Sequence, residues 1–329
     1  TNNKDMGLDI HWALQKIYDY LYINYQKNSF NNEGFPINAY IRFQYSGGVR
    51  DNASWDRIDN VLKFGEGYSV CKPFASVDIV GHEFGHGINF FQTGWNDNGD
   101  QKAMNEGLSD IWGTIFEYHI QPNVIWQIGE QITKNNTCLR NISNPSESGA
   151  YNQIASTYLG SKYNNSSDSH VRGGVFSRWF YLLSVGGSGT NDLGNIYSVN
   201  GIGLDKAEKL IIKAVYNNYF DQIATYPELR TAIINVAKTL FCDNSKEVKA
   251  VTDAWYAVGV GSQYSNPIIS IIGDNLICTS KQYNVVNQPA NIISSSWSSN
   301  NSSFLSVNSS GIATRVNNYN GTSLVNFSF

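Results

Sequence analysis

The stretch VDIVGHEFGHGINFFQ, residues 77–92, constrains this chain more than any other. It contains no proline and reads as a helix. Residues four apart on a helix share a face, so His82 and His86 aim imidazole nitrogens at one point while Glu83, one step round, stands beside it. Two imidazoles at that spacing with a neighbouring carboxylate suit a zinc ion and a proton-accepting base. The competing reading is a pair of buried, hydrogen-bonded histidines under an apolar helix, and two ligands alone do not decide between them. A chain that holds an ion here must supply a third ligand from another segment.

Charged side chains make up 15% of the 329 residues, against about a quarter in an ordinary soluble domain, and aromatics make up 13%. Polarity is carried instead by Asn, Ser, Thr and Gly, a surface that suits a secreted, extracellular or cell-surface protein. The net charge of −4 offers no basic field for a phosphate backbone or anionic lipid, so nucleic acid is not an expected partner. No apolar run reaches the roughly 20 residues of a membrane span, and the opening TNNKDMGLDI is not a signal peptide. A mature product is therefore expected. Cys71, Cys138, Cys242 and Cys278 allow three pairings and form no Cys-x-x-Cys motif, so they read as one or two disulfides or as buried thiols.

Along the chain, GLDIHWALQKIYDYLYINYQ repeats apolar positions at helical spacing, and AYIRFQYS reads as a strand. From Val77 onward the segments are helical: KAMNEGLSDIWGTIFEYH, GGVFSRWFYLLSV, GLDKAEKLIIKAVYNNYF, TYPELRTAIINVAKTLF and NSKEVKAVTDAWYAVGV. Residues 263–329 contain only Asp274, Lys281 and Arg315 as charged side chains, and short β-rich runs alternate there with Ser, Asn and Gly turns. That pattern predicts a small antiparallel sandwich, and SWSSNNSSFLSVNSSGIATRV resembles bacterial Ig-like modules, here stopping mid-strand.

Two sources of a third ligand can be compared. A metzincin would have Gly three residues after His86 and His three further on, but Asn89 and Gln92 stand there, so Gly85 is a misleading cue. NEGLSD instead offers Glu106, with Asp110 one turn later. His82, Glu83, His86, Asn105, Glu106, Ser109 and Asp110 together resemble the thermolysin family. The resemblance runs from about residue 5 to 261, through DNASWD, LRNISNP and DSHVRGGVFSRWFYLL.

That resemblance implies an α+β fold of two subdomains flanking a cleft, residues 1–106 and 107–262, with the partial Ig-like module at 263–329. It implies a secreted bacterial endopeptidase acting through zinc-activated water on protein or peptide substrates. One zinc would be held by His82, His86 and Glu106, with Glu83 as general base and His170 stabilising the developing oxyanion. Asn105 and Asp110 would orient the two imidazoles, Asn52, Ala53 and Arg140 would hold substrate, and Ile79, Ile128 and Leu139 would favour a bulky apolar residue after the cut.

The chain also departs from the family. The loop QTGWNDNGDQKA lacks the tyrosine that relatives add to the oxyanion site, and Asp97 stands near its place. Asn165 occupies the position of the carboxylate that steadies the catalytic histidine, so Asp168 is the candidate substitute or a helix cap. Of the family's calcium ligands, Asp78, Glu117 and Glu130 are kept, with Asn123 possible, while Ile125 and Gln127 replace two acids, which predicts one Ca²⁺ rather than two. The family's further β-rich segment, upstream of DIHWAL, is absent from the sequence. The rival reading is a catalytically weak, zinc-stabilised protein that binds a surface. The C-terminal module would bind a surface or pack on the catalytic domain.

Overall fold

The computed structural model describes residues 5–96, 98–121, 126–135, 137–147, 153–265, 270–275, 277–286, 288, 294–316 and 322–329. These form two compact units, Thr1–Leu240 with Lys246–Gln263, and Phe241–Ser245 with Tyr264–Phe329.

The first unit opens with helix α1, Met6–Tyr25, which buries Ile10, Ala13, Leu14, Ile17 and Leu21 along one stripe. It stops where Gln26 turns left-handed at φ 50° and its N–H returns to the Leu21 and Tyr22 carbonyls. Strands β1 (Ala39–Ile41), β2 (Ala53–Asp56) and β3 (Val61–Phe64) then make a sheet in the order β1-β3-β2. β3 runs parallel to β1 and antiparallel to β2, which leaves β2 at an edge. The strand expected over 39–46 ends early because Arg42 sits at φ 53°, outside the extended region.

Helices α2 (Val77–Thr93) and α3 (Gly99–Ile120) pack closely on each other. Gly85 explains itself here: a Cβ at that position would lie 2.7 Å from Trp112 Cδ1, so only glycine lets the two helices approach. After the short pair β4 (Gln127–Ile128) and β5 (Arg140–Asn141) come α4 (Ser161–Asn164) and α5 (Ser169–Val185). α5 crosses α3 at an equally tight point, where a Cβ on Gly107 would drive into the Gly173 carbonyl and lie 2.7 Å from the Phe176 Cβ. These two glycine contacts set the distance between the segments that carry the site.

A hairpin follows, β6 (Gly186–Thr190) with β7 (Ile196–Asn200), between two of the segments read as helical. Then come α6 (Leu204–Tyr216), α7 (Tyr226–Phe241) and α8 (Lys246–Ala257). The core between α5 and α8 is aromatic: Trp179 stacks on Trp255 at 4.7 Å, with Phe176 beside it.

The second unit is all β among its described elements: β8 (Ser270–Ile272), β9 (Ser280–Gln282), β10 (Asn284–Val286), β11 (Ser296–Ser299), β12 (Leu305–Val307), β13 (Ile312–Arg315) and β14 (Val325–Ser328). They pair antiparallel as β10-β8, β11-β14 and β12-β13-β9. Trp297 packs on Phe327 across β11 and β14.

None of the four cysteines is in a disulfide, which corrects the oxidised reading; Cys71 and Cys138 are buried thiols, and Cys242 and Cys278 are exposed. No helix among the described residues is long and apolar enough to cross a membrane.

Candidate active site

The site assembles where α2 lies against α3 and the start of α5. His82 and His86, four apart on α2, turn their Nε2 atoms toward one another at 3.1 Å. Glu106 on α3 brings its Oε2 to 3.5 Å from both nitrogens. Zinc bonds of about 2.0–2.1 Å at tetrahedral angles put neighbouring ligand atoms about 3.3–3.4 Å apart, so the trio fits that ion. Glu106 Oε2 is buried without a hydrogen-bond donor among the described residues, as is Glu83 Oε2. Buried oxygens left in that state are costly unless a cation or substrate completes them.

The opposite ring nitrogens are spoken for. His82 Nδ1 lies 2.8 Å from Asp110 Oδ1, and His86 Nδ1 lies 3.1 Å from Asn105 Oδ1 and 3.0 Å from Ser109 Oγ. Asn89 steadies that group, donating to Asn105 Oδ1 and Ser109 Oγ and accepting from the Trp112 indole. With the Nδ1 sides so engaged, both Nε2 atoms are left for an ion. Burial alone would keep the His82 ring neutral, but Asp110 and Glu106 outweigh it and hold its pKa up at about 9. A dication can take that proton's place as the counter-charge to Glu106.

Arg140, on β5, grips Asp110 with a fork: Nε reaches Oδ1 at 3.1 Å and Oδ2 at 2.9 Å, and Nη2 reaches Oδ1 at 2.6 Å. Burial would raise the Asp110 carboxyl, but the Arg140 charge and the His82 bond override it and hold it low. Arg140 Nη2 also comes within 3.5 Å of His82 Nδ1, so the guanidinium braces the ligand ring from behind.

His170 stands at the beginning of α5 with Nε2 3.3 Å from Glu106 Oε2. Asp168 Oδ1 accepts from the His170 backbone N–H at 2.9 Å as the helix cap, and lies 3.0 Å from His170 Nδ1. Asn165 instead ends α4.

The ligands open into a cleft of about 470 Å³ whose far wall is β2 and the residues around it, with Asn52 and Ala53 among them. Lys102, Trp95 and Phe90 also line it and were not singled out in the sequence. Lys102 had one usable signal, since it stands four residues before Glu106 on α3 and shares its face. A neighbouring cavity of about 230 Å³ is walled by Phe74, Leu139, Ile154 and Val171, with Asp51 and Arg140 at polar positions. Leu139 was expected there; Ile79 and Ile128 are buried and do not line it. Hydrogen bonds from Ser69 and the backbone of Tyr68, Ser69 and Val70 overcome burial to hold Asp51 at about 2.

Asp78 and Glu117 are fully buried, and Glu130 Oε2 is buried without a hydrogen-bond donor among the described residues. Asp78 takes the Gly129 N–H, and Glu117 takes a bond from Gln131 at 3.3 Å. Burial, then the charge of Asp78, pushes Glu117 up to about 9 and Glu130 up to about 7. These three carboxyls do not close to the 4.8 Å mutual spacing of His82, His86 and Glu106. Asn123, Ile125 and Asp97 lie outside the described residues.

Two helices that bring His-Glu-x-x-His to a glutamate, in an α+β frame with a helical second part, define a metallopeptidase architecture. The chain belongs to the thermolysin metallopeptidase family: the model of the family's catalytic domain matches residues 1–89, and that of its alpha-helical domain matches residues 96–260. It is 31% identical over 257 residues to Bacillolysin of Bacillus cereus, covering 77% of this chain and 44% of that protein. It is 30% identical to Thermolysin of Alicyclobacillus acidocaldarius subsp. acidocaldarius, covering 77% and 45%. The chain thus spans less than half the length of these curated relatives. The solved precursor of Protealysin, a metalloproteinase from Serratia proteamaculans, shares the fold at TM-score 0.61 and 24% identity, over 77% of this chain and 78% of that one.

Proposed function

We propose that this chain is a secreted zinc endopeptidase that cuts peptide bonds by direct attack of water. The observation that carries the reading is the convergence of His82, His86 and Glu106 at zinc-ligand spacing in a cleft that also holds Glu83 and His170. Zinc, when bound there, supplies Lewis acidity to water and to the scissile carbonyl. Glu83 accepts the proton of the attacking water and passes it to the leaving amine. His170, steadied by Asp168, donates to the carbonyl oxygen as charge builds on it. Lys102 places an exposed ammonium on the same cleft wall, a cationic group in a site whose neighbouring loop has no tyrosine. The substrate lies extended beside the edge strand β2, with Asn52 and the Ala53 backbone as its partners. Phe74, Leu139, Ile154 and Val171 then receive a bulky apolar side chain on the amino side of the new N-terminus.

Purified protein with its zinc is expected to cleave casein or a peptide library, to lose that activity with phenanthroline and to regain it with added zinc. Stoichiometric zinc without phenanthroline-sensitive cleavage would end the reading.

One Ca²⁺ at Asp78, Glu117 and Glu130 is part of the same proposal, since three buried carboxyls that repel one another call for a cation. Glu117 and Glu130 have folded pKa values above the ordinary 4.5, so without calcium they contribute stability at low pH that is lost as pH rises through about 7 to 9. Calcium-depleted protein is therefore expected to fall progressively behind the calcium-loaded form in unfolding temperature between about pH 5 and pH 9. Parallel curves across that range would argue against an ion at these residues.

Residues 1–106 and 107–262 are assigned to the two catalytic subdomains and 263–329 to an Ig-like module. The antiparallel pairing of β11 with β14 and the contact of Trp297 with Phe327 support the latter.

A further inference from the structure

Glu208 is a buried carboxylate that the peptidase chemistry does not use. It sits on α6 at 1% exposure, in a corner bounded by α1 and the end of α3. Its Oε1 accepts hydroxyl bonds from Tyr20 and, at 2.7 Å, from Tyr25, both on α1. Its Oε2 faces His119 Nε2 at 2.6 Å. Asp205, three residues earlier on α6 and so on the same face, completes a group whose ligand atoms lie within 4.8 Å of one another. Among the described residues only this group and the zinc trio of the cleft meet that spacing. The His119 ring is held in plane, stacked on Tyr20 at 4.4 Å and edge-on to Tyr118 at 4.8 Å.

We propose that His119, Asp205 and Glu208 form a second metal site, for a divalent transition ion such as Zn²⁺, that ties α1, α3 and α6 together. One imidazole and two carboxylates are a donor set suited to zinc, and their two negative charges match a dication. Calcium, which takes six to eight oxygens, fits the imidazole poorly. The two phenols fix Glu208 through Oε1 and leave Oε2 to the ion, as outer hydrogen bonds do around metal ligands. His119 and Asp205 are exposed, which provides an entry path and room for water to fill the remaining coordination.

The 2.6 Å separation of His119 Nε2 and Glu208 Oε2 is a hydrogen-bond distance. Zinc between them needs about 3.3 Å, so the pair must open by roughly 0.7 Å. The exposed imidazole can make that movement, and the need for it makes this site weaker than the one in the cleft.

The test is a titration of the protein, with its cleft zinc retained, by zinc chloride in competition with a chromogenic chelator, followed by metal analysis and unfolding temperature. The natural chain is expected to take up one zinc more than His119→Ala and to gain unfolding temperature with zinc, a gain His119→Ala lacks. Asp205 is exposed, so Asp205→Asn is safe for folding; it is expected to weaken the added zinc by on the order of tenfold or more, since a neutral amide oxygen replaces a charged ligand. Phenanthroline-sensitive peptide cleavage is expected to be the same in all three proteins. Equal zinc uptake by all three overturns the site and leaves His119 and Glu208 as a hydrogen-bonded pair, and so does a zinc-induced gain in unfolding temperature that persists in His119→Ala. Peptidase activity is read separately, so failure of this proposal and failure of the peptidase reading are distinguishable.

Discussion

Glu83→Gln is expected to lower kcat/KM by about 10²–10⁴-fold while zinc content and unfolding temperature stay unchanged. The size follows from what the substitution removes. Glutamine keeps the volume of the side chain, so its neighbours in a buried, closely packed helix are not disturbed. It cannot accept a proton from water, and the loss corresponds to about 3–5 kcal/mol of barrier. Glu83 Oε2 makes no hydrogen bond within the described protein, so no internal network depends on its charge. His82 and His86 keep their partners, because their Nδ1 sides are held by Asp110, Asn105 and Ser109 rather than by Glu83. Steady-state kinetics on a defined peptide, with metal analysis of the same sample, makes the measurement. Unchanged activity in Glu83→Gln would instead favour the rival reading of a zinc-stabilised surface-binding protein.

Arg140→Met should cost about 3–5 kcal/mol of stability, a drop in unfolding temperature of roughly 5–15 °C for a unit of this size. Methionine fills most of the space but leaves Asp110, at 1% exposure, with a buried charge that, among the described residues, His82 alone is left to offset. The guanidinium is the main partner holding that carboxyl down against burial. A group with a depressed folded pKa contributes stability above its unfolded pKa and loses it as pH falls, so the natural chain draws on this pair at neutral pH. Without Arg140 that contribution goes, and His82 loses its brace. The double variant Arg140→Met with Asp110→Asn is expected to recover part of the loss, since it removes the stranded charge. A thermal scan showing Arg140→Met within 1 °C of the natural chain would mean that Asp110 finds another counter-charge.

How much of this was legible in the sequence differs from residue to residue. His82 and His86 were, because a four-residue interval on a helix is itself a geometric statement. Glu106 was, since NEGLSD supplies a carboxylate with Asp110 one turn later on the same helix face and Asn105 beside it. Gly85 was legible only as a puzzle: within the motif it hints at the wrong clan, and its reason is Trp112, 27 residues away on α3. The hairpin β6 and β7 was missed because Gly186–Thr190 is mostly glycine and carries almost no side chains from which to read an alternation. Phe74, Ile154 and Val171 come from three separate segments, and no local pattern says that they line one cavity. His119 and Glu208 are 89 residues apart and belong to no motif.

The sequence by itself determined the main helices and the grouping of His82, His86 and Glu106, because both are written in spacings shorter than two helical turns or in a motif carried on one helix. Tertiary structure alone decided which remote charges meet: Arg140 with Asp110 and His119 with Glu208. The reason is physical. A local interval fixes direction around one axis, whereas a remote contact depends on how closely two helices approach, and here that approach rests on single glycines facing Trp112 and Gly173.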